Sequence, residues 1–350
     1  MKLGIKSKIL LAITPFIATI SLAGCGTSSS ATGAATTTST THAASGQSSD
    51  QGVVVNIGTQ ALTGPMYLAQ KKGWFEQAFA KVGAKVNFVQ FTSGPPFFPA
   101  IASNHIDFGQ VGNAPVLVGQ AANVNFEEIA VDGDGKRGDA ILVPKGSPIK
   151  SLQDLKGKKV AVAQGSSAYN LLYQALAHAG LTASDIHIVQ LQPNQAQPAF
   201  DSHAVDAWAT WDPYITEEVA EHGAVELTNE QDLGTASPGF TIVRTKFAQE
   251  HPDLVVLFLK VYQQALDWQN EHLDSAVQLY AQSTHLSPQI VKQMILNSDE
   301  ENAQVTNQVI QEQQVTADFL YSHGGLGAKV DVSKVVDNSY IEEALKEAEK

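Results

Sequence analysis

The chain has 350 residues and a formal net charge of −13, from 22 basic and 35 acidic side chains. This acidity argues against nucleic-acid binding, because contacts to phosphate groups need a basic face. The length suits two lobes better than a single core, and one cysteine allows neither an internal disulfide nor a cysteine-based metal site.

The first 25 residues have the pattern of a secretory signal that ends in a cysteine. Three lysines precede an uncharged, mostly apolar run over 9–23, and small residues lead to Cys25. This order is typical of a signal peptide, and it resembles a bacterial lipoprotein signal, in which the cysteine is acylated. We expect a signal peptide over 1–24 and a lipid anchor on Cys25, hence an extracytoplasmic protein attached to the cell membrane. The alternative is an ordinary signal with a chance cysteine.

The next segment, 25–52, consists mostly of Ser, Thr, Ala and Gly. Such a composition buries too little apolar surface to offset the entropy of ordering, so it predicts a disordered tether. No later segment has the 18 or more consecutive apolar residues that indicate a transmembrane helix.

Strand and helix patterns alternate after the tether. Strands are predicted at 53–58, 86–91, 106–112, 127–131, 139–143, 160–163, 186–190, 205–210 and 225–227. Helices are predicted at 64–72, 96–103 and 167–179, followed by a mostly helical C-terminal tail over 246–323. This βαβ-type alternation predicts an α/β fold with largely parallel sheets.

Two stretches have the pattern of crossover segments between lobes. The first, 141–147, is an apolar strand that ends in Pro and Gly, and the second, 237–243, begins Ser-Pro-Gly. The chain between them is long enough for one lobe. The predicted division is 53–143 plus 239–350 for lobe 1, and 144–238 for lobe 2.

Four blocks of sequence carry a resemblance to a known family. The blocks at 58–75, 91–115, 147–181 and 205–214 resemble the aliphatic-sulfonate-binding proteins of ABC importers, within the periplasmic-binding-protein superfamily. The resemblance implies a two-lobed clamshell and a monomeric receptor that captures a small sulfonate anion and delivers it to an ABC permease. The superfamily also covers binders of taurine, nitrate and thiamine pyrimidine precursors, which remain alternative ligands.

Loops between strands and helices carry the candidate ligand-binding residues. A sulfonate is permanently ionised, so its site needs hydrogen-bond donors, which helix N-termini supply. Ligands of parallel α/β sheets gather at the carboxyl ends of the strands, where these loops lie. The predicted ligand-binding residues are Gln60, Thr63, Ser93, Gly94, Gly112, Asn113, Gln164, Gly165, Ser166, Ser167, Trp211 and Asp212.

Individual roles follow from residue type. Both hydroxyls, of Ser166 and Ser167, are expected to donate to the ligand, and Trp211 to line the cleft, whereas Asp212 is expected to cap a helix or hold a donor. Trp208, inside a strand, is expected in the core. Three positions depart from the family pattern: Gln164 stands where relatives often carry Lys, Tyr169 where His is expected, and Asn113 in place of a common Asp.

Other motifs indicate little chemistry. A GxGxxG match at 133–138 has no helix after it, so a polar turn is predicted there rather than a dinucleotide site, and Arg137 within it could reach the cleft. The ten histidines show no paired metal-ligand spacing, and we expect neither metal nor cofactor.

Desulfinases of this fold use a catalytic cysteine, whereas the one cysteine here is Cys25, ahead of the tether, so a binding protein is predicted rather than an enzyme.

Overall fold

The computed structural model describes residues 52–348. The predicted signal peptide, Cys25 and nearly all of the tether lie outside the described residues. The described residues fall in one compact unit that contains two sheets, of six and five strands. Among these residues, no helix has both the length and the apolar character that crossing a bilayer requires.

The strands of the described chain are β1 (Val54–Thr59), β2 (Lys85–Gln90), β3 (Phe108–Gly112), β4 (Phe126–Gly133), β5 (Asp139–Val143), β6 (Lys159–Val162), β7 (His187–Gln190), β8 (Ala207–Trp211), β9 (Val225–Asn229), β10 (Gly239–Arg244) and β11 (Glu300–Ala303). The first sheet has the order β11-β4-β10-β3-β1-β2, and the second has the order β7-β6-β8-β5-β9. Each sheet therefore combines strands from distant parts of the chain.

The helices are α1 (Gly64–Lys71), α2 (Trp74–Lys81), α3 (Phe97–Ala102), α4 (Asn113–Ala121), α5 (Ser167–His178), α6 (Pro193–Asp201), α7 (Tyr214–Glu217), α8 (Glu230–Leu233), α9 (Thr245–Glu250), α10 (Pro252–Glu271), α11 (Leu273–Thr284), α12 (Pro288–Ser298), α13 (Asn307–Ser322) and α14 (Ser339–Ala348). Short 3-10 turns occur at Leu152–Leu155, Ala183–Asp185 and Val332–Val335, and a π-helical turn spans Glu218–His222. Ser151 and Asp154 form a capping box at the first of these turns.

One sequence-based expectation about the fold is wrong, and one strand and one helix were not predicted. The sheets are mixed rather than largely parallel, because β10 and β11 in the first sheet and β5 in the second run antiparallel to their neighbours. The tail over 246–323 is mostly helical, as predicted, and the unpredicted β11 within it adds an edge strand next to β4. Helix α2 was not predicted, although its Phe75 and Phe79 are fully buried at helical spacing.

The chain passes between the sheets earlier than the sequence predicts. β4 ends in the first sheet at Gly133, and β5 begins in the second at Asp139, so the first passage is the GxGxxG-like loop and not 141–147. All five residues of β5 are buried, because β8 and β9 flank this strand. The second passage lies between Asn229 and Gly239.

Aromatic side chains fill the interior beside both sheets. Phe108 of β3 stacks on Phe258 of α10 with ring centroids 4.3 Å apart, and Phe75 stacks on the same ring at 5.1 Å. In the second sheet, Trp208 is 1% exposed, which confirms its predicted place in the core. Helix α13 contacts both α4 and α5, so the C-terminal tail packs against helices that follow strands of different sheets.

Candidate functional site

A cavity of about 650 Å³ lies where the loops of the two sheets meet. Its wall includes residues that follow β1, β3 and β4 of the first sheet, and residues that follow β6 and β8 of the second. The carboxyl ends of these strands therefore face one space, as expected for a ligand site in an α/β fold.

Three helices begin at this cavity. Gly64 of α1, the residue Gly112 that precedes α4, and Ser167 of α5 all line it. The first N–H groups of a helix have no partner within the helix and lie at the positive end of its dipole. Within residues 52–348, the N–H groups of Ser167 and Ala168 form no hydrogen bond. The cavity thus offers donors that suit an anion.

The hydroxyls of the two serines are already used within the protein. Ser166 donates to the carbonyl oxygen of Ala163 at 2.7 Å and, as the N-cap of α5, accepts from the N–H of Tyr169 at 3.2 Å. Ser167 donates to Asp139 Oδ1 at 2.8 Å. The prediction that both hydroxyls are free donors is therefore wrong in this structure, because each proton has an internal acceptor. The backbone donors of α5 remain.

Most of the predicted site residues line the cavity. They are Gln60, Thr63, Gly94, Gly112, Ser166, Ser167, Trp211 and Asp212. Asp212 Oδ1 accepts from both the N–H and the hydroxyl of Thr216, at 2.8 and 2.7 Å, so it holds the first turn of α7 in its predicted capping role. Gln60 Nε2 donates to the carbonyl oxygen of Gln110 at 2.8 Å, which fixes the loop after β1.

Four predicted residues do not reach the wall. Ser93 is fully buried and donates to Gln192 Oε1 at 2.7 Å, a bond that joins a loop of the first sheet to one of the second. Asn113 is fully buried, and its Oδ1 accepts from the N–H of Ala114 at 2.7 Å. Gln164 is exposed away from the cavity, and Gly165, with φ at +75°, packs near Val118. Their roles are structural in this arrangement.

Sequence reasoning missed the acidic groups of the wall. Asp132, Asp139, Glu217 and Glu300 line the cavity, and Arg137 is the one Lys or Arg among the described lining residues. Asp132 stands near the end of β4 and Asp139 at the start of β5, on either side of the loop that joins the two sheets. The sequence alone shows both residues next to predicted strands, so they could have been proposed as site residues. Glu300 lies on β11, inside a stretch predicted as helix.

Burial suppresses the charge of this wall. Desolvation, followed by repulsion from the neighbouring Glu300, raises the pKa of Asp132 to about 8. Desolvation also raises the pKa of Glu300 to about 7, and that of Asp139 to about 6. Near neutral pH Asp132 and Glu300 are thus partly protonated, and a protonated carboxyl is itself a donor.

The sequence family described as NMT1/THI5 like matches residues 60–276. A Bacillus subtilis (strain 168) protein, provisionally named an aliphatic sulfonates-binding protein, is 44% identical over 293 residues, which cover 84% of this chain and 88% of that protein. The solved structure of the alkanesulfonate-binding protein SsuA from Xanthomonas axonopodis pv. citri, bound to MOPS, superimposes with a TM-score of 0.77 at 32% identity. It covers 83% of this chain and 99% of that one.

A more distant structural neighbour is an enzyme. The desulfurization enzyme DSZB superimposes with a TM-score of 0.61 at 17% identity, over 85% of this chain and 99% of that one. This likeness shows the fold alone. The likeness to SsuA at 32% identity and the two sheets give this chain the two-lobed clamshell of periplasmic binding proteins, with two passages between the sheets.

The raised carboxyl pKa values predict how stability depends on pH. A carboxyl whose pKa is higher in the folded than in the unfolded state lowers stability above its folded pKa, and this penalty is relieved as pH falls. Lowering the pH from 8.5 to 6 should therefore raise the free energy of unfolding, by on the order of 1 kcal/mol from Asp132. Urea unfolding across this range measures it.

The matched variants are Asp132→Asn and Asp253→Asn. The first removes the perturbed carboxyl and should flatten the pH dependence. The second removes an exposed carboxyl at the start of α10 and should leave the dependence as in the wild type. An unchanged slope in Asp132→Asn would show that Asp132 does not hold its proton.

Proposed function

The chain belongs to the NMT1/THI5-like family, and we propose that it is an extracytoplasmic solute-binding protein that captures a small sulfonate between two lobes and delivers it to an ABC permease. The observation that carries this proposal is the convergence of three helix N-termini on one cavity between the two sheets. The relatives at 44% and 32% identity, whose names refer to sulfonates, support the same ligand class.

The cavity offers a place for each part of such a ligand. A sulfonate head has three acceptor oxygens, which the free N–H group of Ser167 and the guanidinium of Arg137 can meet. Met66 and Trp211 supply apolar wall for a carbon chain. A ligand that contacts both lobes stabilises the closed form over the open one, so turnover is conformational. No bond is made or broken.

Attachment and organisation complete the proposal. The acylated Cys25 and the tether to residue 52 would hold the folded body near the permease, and the protein would act as a monomer. The lobes would be built on the two sheets, with passages at 133–139 and 229–239. A cysteine-dependent desulfinase is disfavoured, because the one cysteine of the chain precedes the tether.

A second candidate ligand is an aminosulfonate such as taurine. The observation that favours it is the pair Asp132 and Glu300, which line the cavity on the adjacent strands β4 and β11. Two carboxyls beside each other suit an ammonium group better than a second anion. Nitrate and pyrimidine precursors remain further alternatives, without an observation of this kind.

Replacing Ser167 by proline removes one backbone donor at the cavity. Position 167 is the first residue of α5, where proline is tolerated, and the extended Ser166 (φ −78°, ψ 169°) suits a residue before proline. Ser167→Pro should weaken the binding of propanesulfonate by about 1–3 kcal/mol, because a bond from N–H to an anion is lost. Titration calorimetry measures the affinity.

The control for this variant is Ser167→Ala, which removes the hydroxyl but keeps the N–H group. The hydroxyl serves Asp139, so Ser167→Ala should retain most of the affinity. Equal affinities of the proline and alanine variants would contradict backbone recognition at α5.

The lipid anchor is tested by Cys25→Ser. Acylation requires the thiol, so once the signal peptide has been removed this variant should move from the membrane fraction to the soluble fraction, because an anionic membrane repels the acidic chain that remains. The exchange Ser28→Ala, three residues later, is the control and should keep the protein on membranes. Persistence of the Cys25→Ser variant in the membrane fraction would refute the anchor.

The pH dependence of affinity separates the two ligand candidates. A simple anion favours protonated Asp132 and Glu300, so propanesulfonate should bind more tightly as pH falls from 8.5 to 6. An ammonium group favours the ionised carboxyls, so 3-aminopropanesulfonate should bind more tightly as pH rises. Tighter overall binding of the amino compound, lost in Asp132→Asn, would establish the second candidate over the first.

A further inference from the structure

A cluster of three potential metal ligands lies outside the cavity. Asp201 is the last residue of α6, and Glu218 and His222 are the two ends of the π-helical turn that follows α7. His222 Nδ1 is 3.1 Å from Asp201 Oδ1 and 3.1 Å from Glu218 Oε2. We propose that this cluster is a binding site for a divalent transition metal of the Zn²⁺ type.

Hydrogen bonding alone accounts poorly for these contacts. His222 Nδ1 carries at most one proton, yet two carboxylate oxygens approach it at the same distance. The Glu218 side chain is fully buried, and its Oε2 approaches the same ring nitrogen as Asp201 Oδ1. A cation at the centre would offset the repulsion between the two carboxylates and the cost of burying one of them.

The geometry suits a small ion. One ligand atom from each of the three residues lies within 4.8 Å of the others. Zinc bonds to nitrogen and oxygen are about 2.0–2.2 Å long, so a tetrahedral ion holds its ligand atoms roughly 3.3–3.5 Å apart. The observed 3.1 Å separations need only a small expansion. One imidazole and two carboxylates are ligands that zinc accepts, and a water molecule can complete the tetrahedron.

A neighbouring side chain orients the buried ligand. Gln197 Nε2 donates to Glu218 Oε1 at 3.0 Å, which leaves Oε2 for the ion. Gln197 and Asp201 are four residues apart on α6, and Glu218 and His222 are four residues apart on the π-helical turn. Supporting bonds of this kind are usual around metal ligands.

The site would join two elements of the second lobe. The ion would connect the end of α6 to the turn after α7, and Glu217, immediately before Glu218, lines the cavity. The metal would therefore act as a structural clamp behind one wall of the cleft, with no contact to the ligand.

Zinc titration of the full chain, purified in detergent and freed of metal with EDTA, tests the site. The wild type should bind one more equivalent of Zn²⁺ than His222→Gln, and Zn²⁺ should raise the melting temperature of the wild type only. His187→Gln makes the same chemical change at an exposed position on β7 and should behave as the wild type.

A second variant tests the site independently, in case His222→Gln fails to fold. Asp201→Asn alters an exposed ligand and should reduce the affinity of this equivalent at least tenfold. Equal zinc stoichiometry and equal melting shifts in the wild type, His222→Gln and Asp201→Asn would overturn the proposal, and so would a wild type that binds no Zn²⁺.

Discussion

Helices that begin at the ends of sheet strands have first N–H groups without a backbone partner inside the helix, and this fold directs three such ends into one cavity. A glycine stands where the loop after β3 comes closest to the start of α5. A Cβ at Gly112 would lie 2.9 Å from the Cβ of Ser167, so glycine lets the loop after β3 reach the start of α5 across the two sheets.

The acidity of the chain and its proposed anionic ligand are compatible for a local reason. Charges farther away than roughly 8 Å are screened at physiological salt, so the net charge of −13 has little effect inside the cleft. The carboxyls that do line the cleft are desolvated, and burial raises the pKa values of Asp132 and Glu300. Their partial protonation reduces the repulsion between the wall and an anion, whereas their ionised forms attract an ammonium group.

The sequence predicts the part of the site that depends on local pattern. A strand followed by glycine or serine and then a helix indicated Gly112, Ser166 and Ser167, and all three line the cavity. The hydrogen-bond acceptors of the two serine hydroxyls, Ala163 and Asp139, could not be predicted, because these contacts depend on the folded structure and not on a local pattern.

Long-range pairing explains the other misses. β11 joins β4 across more than 160 residues, so Glu300 could not be placed at the cavity from sequence. The first passage was misplaced because the apolar strand β5 has the same pattern whichever sheet it enters. The cluster around His222 escaped detection because the histidine partners are acidic residues, one of them 21 positions away, and not another histidine or cysteine.

A crystal structure of the protein with a bound alkanesulfonate tests the central claim most directly. The account predicts a sulfonate oxygen within hydrogen-bonding distance of the backbone nitrogen of Ser167, with both lobes in contact with the ligand. A sulfonate held elsewhere, or held by side chains with the start of α5 left unoccupied, would contradict it.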